Sequence, residues 1–204
     1  MERRRGGQSG HYFDAEAKTT EVRLAMRLFI YDKTQSWLTA SWWFGAALRS
    51  LRPGKDVILH VNSWADMVEQ LSKLPEKSVT RVEYWGHGLS SAVECNNDLL
   101  TYKEVYPLLE RVAHVMSGPD ALWFWRTCKT FWGVPGFQYA SECVRVLGCR
   151  VAGFSHKIWW WQSGLRYMGP EDSPEWDHKD GGKWSLPWPW KRGKTVWCLS
   201  RGLD

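Results

Sequence analysis

Short apolar and aromatic runs alternate along this chain with stretches of helical periodicity, and that alternation predicts an α/β fold. The expected architecture is a three-layer α/β/α sandwich around a mostly parallel, roughly six-stranded sheet, followed by a Trp/Pro/Gly-rich C-terminal elaboration. Three observations carry this. Runs such as DVILHV (56–61) and ALWFWRTC (121–128) have the length and the β-branched or aromatic content of buried strands. The segments between them repeat apolar residues every three or four positions. The two kinds of segment follow one another as β-α-β-α-β, hairpin, α-β-α-β, the order that builds parallel sheets covered by helices.

Taken in order, residues 1–20 are rich in Arg, Gly, Gln and Ser and read as a disordered basic tail. Residues 21–204 read as one domain. LAMRLFIYD (24–32) is a central strand ending at Asp32. A helix is predicted over 37–51, with Trp43, Phe44, Ala47, Leu48 and Leu51 on its buried face and Arg52-Pro53-Gly54 as its stop. After the strand 56–61, Ser63 and Asp66 approximate a capping box for a helix striped by Trp64, Met67, Val68, Leu71 and Leu74, ended by Pro75. VTRVEYWGHG (79–88) is a strand closing on His87-Gly88. Leu89–Leu100 is a short hairpin or loop turning at Asn96-Asn97-Asp98. Thr101 and Glu104 form a capping box ahead of Val105, Leu108, Leu109 and Val112. Pro107 either kinks that helix or marks a later start. The 121–128 strand ends on Cys128. Gly136 opens the next helix, with Phe137, Ala140, Val144 and Leu147 inward and Gly148 as its C-terminal stop. CRVAGFS (149–155) is a fifth strand, 157–192 an irregular Trp-rich segment, and KTVWCLS (194–200) a last strand.

Composition narrows the function classes. The net charge of +5 is partly spent on Arg3-Arg4-Arg5, and no basic stripe continues beyond it, so no nucleic-acid partner is expected. Five cysteines without CxxC spacing argue against a disulfide framework or zinc knuckle and for a reduced, cytoplasmic setting. No His/Asp/Glu cluster has metal-ligand spacing, and no cofactor is implied. MERRRGGQSG lacks the apolar segment of a secretory signal, and no run reaches the roughly 18 apolar residues of a membrane span.

Two strand ends carry the chemistry. A neighbouring imidazole or positive charge shifts a thiol toward the nucleophilic thiolate. The imidazole can then return a proton to a leaving amine. Backbone N–H donors stabilise the tetrahedral oxyanion, and a glycine beside the histidine lets the chain approach a substrate. Cys128 and His87-Gly88, each at the tip of a parallel strand, fit those roles. The plainer alternatives are a hydrogen-bonded rim histidine and a cysteine acting as a small hydrophobe.

The order strand–HG, hairpin, helix, strand–C, helix resembles the caspase-like cysteine peptidases, the clan of caspases, metacaspases, legumain, gingipains, separase and bacterial CHAT domains. The residues carrying the likeness are VEYWGHG, LWFWRTC and GFQYASECVRVLGCRVAGFS, within roughly residues 24–156. The resemblance implies a Cys/His dyad acting on a protein or peptide substrate. Cys128 would be the nucleophile and His87 the general acid/base, with the N–H groups of Gly88 and Cys128 as oxyanion hole. The chain departs from the clan's pattern at Thr127, where Ala is usual, and at Lys129-Thr130, where a small or Gly-containing turn is usual. In the clan the residue two before the cysteine lines the pocket for the side chain preceding the cut. Arg126 there implies a preference for an acidic residue. Its other reading is an ion pair with an internal acid such as Asp32 or Glu83.

The remaining candidates are secondary. His60 and His114 read as structural, and His156 falls near the same rim as the dyad. Trp159-Trp160-Trp161, Trp184, Trp188 and Trp190 either pack down the irregular segment or make an aromatic surface for a peptide, sugar or protein chain. The competing function is therefore a catalytically inactive caspase-like fold serving as a structural or protein-interaction module.

Overall fold

A computed structural model of the chain describes residues 26–33, 56–157, 164–171 and 196–197. The strands are β1 (Met26–Asp32), β2 (Asp56–Val61), β3 (Val79–Trp85), β4 (His87–Leu89), β5 (Ala92–Cys95), β6 (Asp98–Thr101), β7 (Leu122–Arg126), β8 (Arg150–Phe154), β9 (Leu165–Met168) and β10 (Val196–Trp197). The α-helices are α1 (Trp64–Ser72), α2 (Val105–Glu110) and α3 (Gly133–Leu147). Seven strands form the main sheet, in the order β10-β9-β8-β7-β3-β1-β2, and β4-β5-β6 form a small antiparallel sheet. Every pairing in the main sheet is parallel except β8 with β9. The chain is thus an α/β protein with a mostly parallel sheet.

From β2 onward the connections to β3, β7 and β8 all step the same way across the sheet. Right-handed crossovers then place their helices on one face. Accordingly α1, α2 and α3 share a single core with Leu28, Ile30, Val82, Tyr84, Trp123 and Trp125. On the opposite face Phe124 packs against Ala152 and Phe154. The helix expected over 37–51 and the Trp clusters at 159–161 and 184–190 lie outside the described residues.

Local chemistry explains the boundaries. The Ser63 side chain accepts from the Asp66 N–H at 3.1 Å and caps α1. The Asp66 carboxylate reaches back one residue further than a capping box would, to the Asn62 N–H at 2.9 Å. The Gln70 amide, donating to the Asp66 carboxylate at 2.8 Å, and then the Asn62 N–H hold the Asp66 pKa below its ordinary value. The Thr101–Glu104 box is half made: the Glu104 carboxylate accepts from the Thr101 N–H at 3.0 Å and its hydroxyl at 2.7 Å. Thr101 itself ends β6, so α2 starts late, at Val105, with Pro107 in its first turn where no N–H is needed. Gly148 takes the left-handed conformation, φ +59°, and its N–H closes α3 onto the Val144 carbonyl.

Three expectations need correction. α3 begins at Gly133, three residues before Gly136. Gly136 is instead a contact point, since a Cβ there would lie 2.8 Å from the Phe131 Cα. Residues 157–192 are not irregular throughout, because LRYM folds back as β9 antiparallel to β8 and raises the strand number to seven. Four residues framed by Gly164 and Gly169-Pro170 are too short for a periodicity to stand out. Finally, VTRVEYWGHG is two strands: β3 stops at Trp85, and after a bend at Gly86 the chain enters the small sheet at His87. The bend needs glycine, since a Cβ would sit 2.7 Å from the Tyr84 ring and 3.2 Å from the Glu94 carbonyl oxygen.

Candidate functional site

The carboxyl edge of the sheet collects the chemistry-bearing residues. Trp85 of β3 is level with Arg126 of β7. His87 and Cys128 each follow two residues later, so they leave the sheet at the same edge from adjacent strands. Here the topology also reverses: β1 sends its connection to β2 on one side, β3 to β7 on the other. Open α/β sheets bind ligands at the carboxyl ends of strands beside such a reversal.

Gly88 closes the two strand ends onto each other. A Cβ added to it would lie 2.9 Å from the Cys128 nitrogen and 2.8 Å from the Thr127 Cβ, so only glycine lets the backbones pack this tightly. His87 begins β4, on the face of the small sheet turned away from Val93, Cys95 and Leu100, which belong to the core. Its cross-strand partner is Glu94, a carboxylate that sequence spacing alone could not place there. The exposed Leu89 and Leu99 share that face.

Cys128 differs from the other described cysteines. Cys95, Cys143 and Cys149 are buried, whereas Cys128 is partly exposed. Burial pushes the thiols of Cys95 and Cys149 up to about 12 and that of Cys143 further still. Such thiols stay protonated and unreactive at neutral pH.

The turn after β7 is pinned from several sides. Thr127 and Thr130 are fully buried and their hydroxyls bond each other. The Lys129 N–H donates to the His156 carbonyl at 3.1 Å, and the Phe131 N–H to the Phe154 carbonyl at 3.0 Å. Lys129 is left-handed, φ +55°, and its ammonium lies 5.6 Å from the Trp132 ring centroid. His156 therefore borders the site through its backbone, while its Nδ1 is 2.8 Å from the Ser155 hydroxyl oxygen.

Arg126 is 3% exposed and ion-paired with Glu83. Its guanidinium lies 4.2 Å from the Phe124 ring centroid and 4.8 Å from that of Trp85. Arg81 approaches the same carboxylate, Nε to Oε1 at 2.6 Å. Of the two readings of Arg126, the internal ion pair is the contact present, and the partner is Glu83. Asp32 is buried at the end of β1, where its carboxylate accepts from the Asn96 N–H at 3.1 Å. His60 bonds Tyr31, Nε2 to hydroxyl at 2.8 Å.

Among the described residues no group of three or more His, Cys, Asp or Glu is placed to hold a metal ion. None of their helices is long and apolar enough to cross a membrane. No protein-family model matches the chain, and no curated protein matches it either.

Proposed function

We propose that the chain is a cysteine endopeptidase of caspase-like type, with Cys128 as nucleophile and His87 as general acid/base, working on a protein or peptide substrate in a reducing, cytoplasmic setting. The observation that carries this reading is the junction at Gly88, which brings the His87 and Cys128 strand ends together at one edge of the sheet, where Cys128 is partly exposed. The order β3, hairpin, α2, β7, Cys128, α3 also matches the element order on which the resemblance rests. In the reaction, the Cys128 thiolate attacks the scissile carbonyl carbon while the Gly88 and Cys128 N–H groups receive the oxyanion. His87 gives its proton to the leaving amine, and then takes one from the water that hydrolyses the thioester, freeing the thiolate. The acidic preference implied by Arg126 is the weaker part, since a substrate carboxylate would have to compete with Glu83 for a buried guanidinium.

Iodoacetamide labelling near neutral pH tests the dyad. Cys128 labels fast while Cys95, Cys143 and Cys149 stay protected, and His87→Ala slows the fast step. Peptides differing only before the scissile bond then report specificity. Uniformly slow labelling, unchanged by His87→Ala, would leave the interaction-module reading in its place.

A further inference from the structure

Thr127, Lys129 and Thr130 are the positions where the chain departs from the caspase-like pattern, and the structure joins them in one turn. We infer that they form a clasp that replaces the glycine-containing turn and positions Cys128. The inference rests on the reading of Cys128 as nucleophile. A left-handed residue other than glycine strains the backbone and persists only where its surroundings over-determine it. Lys129 is such a residue, φ +55°. Its surroundings supply three restraints. The Thr127 and Thr130 hydroxyls, both fully buried, satisfy each other across the turn. The Lys129 N–H is held by the His156 carbonyl, and the Trp132 N–H by the Lys129 carbonyl, each at 3.1 Å. The Lys129 ammonium rests near the Trp132 ring. Alanine at position 127 would leave the Thr130 hydroxyl buried without this partner, which costs more than the bond itself contributes. Thr127 and Thr130 are thus positioning residues: buried beneath the turn, they act by holding the backbone that carries Cys128.

A substitution cycle with two readouts tests the clasp. Thr130→Val slows alkylation of Cys128 about tenfold, the rate equivalent of one such hydrogen bond. It also speeds amide exchange at Lys129 and Phe131. Thr130→Ser keeps the hydroxyl and keeps both values. Lys129→Gly combined with Thr130→Val restores both to within about threefold, because glycine adopts the left-handed conformation without strain. If Thr130→Val fails to fold, Thr127→Ala carries the same expectations. A folded variant with Cys95, Cys143 and Cys149 still protected, but with unchanged exchange and alkylation at the turn, overturns the clasp. The two ideas fail separately. Altered exchange with alkylation indifferent to His87→Ala sinks the peptidase reading alone, and unchanged exchange with His87-dependent alkylation sinks the clasp alone.

Discussion

The two faces of the main sheet are built on different physics. Under the helices, Trp64, Tyr84, Trp123, Trp125 and Tyr139 pack ring against ring, with centroids 5.1–6.4 Å apart. The opposite face carries charge across four adjacent strands. The Arg27 Nε on β1 donates to the Asp56 carboxylate on β2 at 2.7 Å, and Arg126 on β7 pairs with Glu83 on β3. Asp56, Glu83 and Arg126 expose no more than 3% of their side chains. Apolar packing is non-directional and tolerates repacking, whereas a buried ion pair depends on both partners and their register. The alternating signs also restrict register, because a one-residue slip would turn each charge to the helix-covered face. Arg126, two residues before Cys128, stands on the less forgiving face.

The largest expected effect breaks that charged face. Glu83→Ala leaves the buried Arg126 in a low-dielectric interior without its carboxylate and lowers stability by about 3–5 kcal/mol. Urea denaturation measures it; a loss under about 1 kcal/mol would show that the cluster is incidental to the fold. A matched pair of mild substitutions sharpens the contrast. Arg126→Lys keeps the charge but loses the planar fork held between Phe124 and Trp85, at a cost of about 1–3 kcal/mol. Ile30→Leu under the helices conserves volume and costs less than about 1.5 kcal/mol. Equal penalties would erase the distinction between the faces.

Smaller effects come from the helix-covered side. The Tyr139 hydroxyl is buried without a hydrogen-bond partner there, so Tyr139→Phe stabilises the protein by about 1 kcal/mol, visible as a higher thermal midpoint. A loss of stability would reveal an acceptor for that hydroxyl. The buried thiols make the face sensitive to alkali. Burial raises Cys149 from 9.0 to about 12, so in this window the unfolded thiol ionises and the folded one does not. The stability contribution is whole below pH 9.0 and is lost as pH rises toward 12. Denaturation midpoints taken between about pH 8 and about pH 11 decline, and Cys149→Val makes the decline shallower. An identical slope in the variant would assign the effect to other groups.

Legibility followed the range of the interactions. DVILHV forms β2 with its expected ends, because Val57, Ile58, Leu59 and Val61 are β-branched or apolar and polar residues flank the run. The Asn96-Asn97 turn was readable because both residues tolerate the left-handed conformation they adopt, φ +52° and +63°. His87 lies at the sheet edge its sequence position predicts, but it begins β4 instead of ending β3. The Gly86 bend is required by contacts with Tyr84 and Glu94, and Glu94 lies eight positions further along the chain. Sequence spacing leaves Asp32 and Glu83 as equal partners for Arg126, because spacing does not say which carboxylate a guanidinium meets across a sheet; the contact is with Glu83.

By itself the order of residues determined an α/β chain: the runs that form β1, β2, β7 and β8, where glycine and proline end the helices, and which polar side chains sit near strand tips. Those properties depend on neighbours a few positions away, through periodicity, capping and steric limits on φ and ψ. Only the tertiary structure decided that Gly88 lies against the Cys128 backbone, that Glu83 takes Arg126, that LRYM joins the sheet and that, among the described cysteines, Cys95, Cys143 and Cys149 are shut away while Cys128 is not. Each of those facts depends on the lateral order and register of strands, and these are set by the whole core folding together.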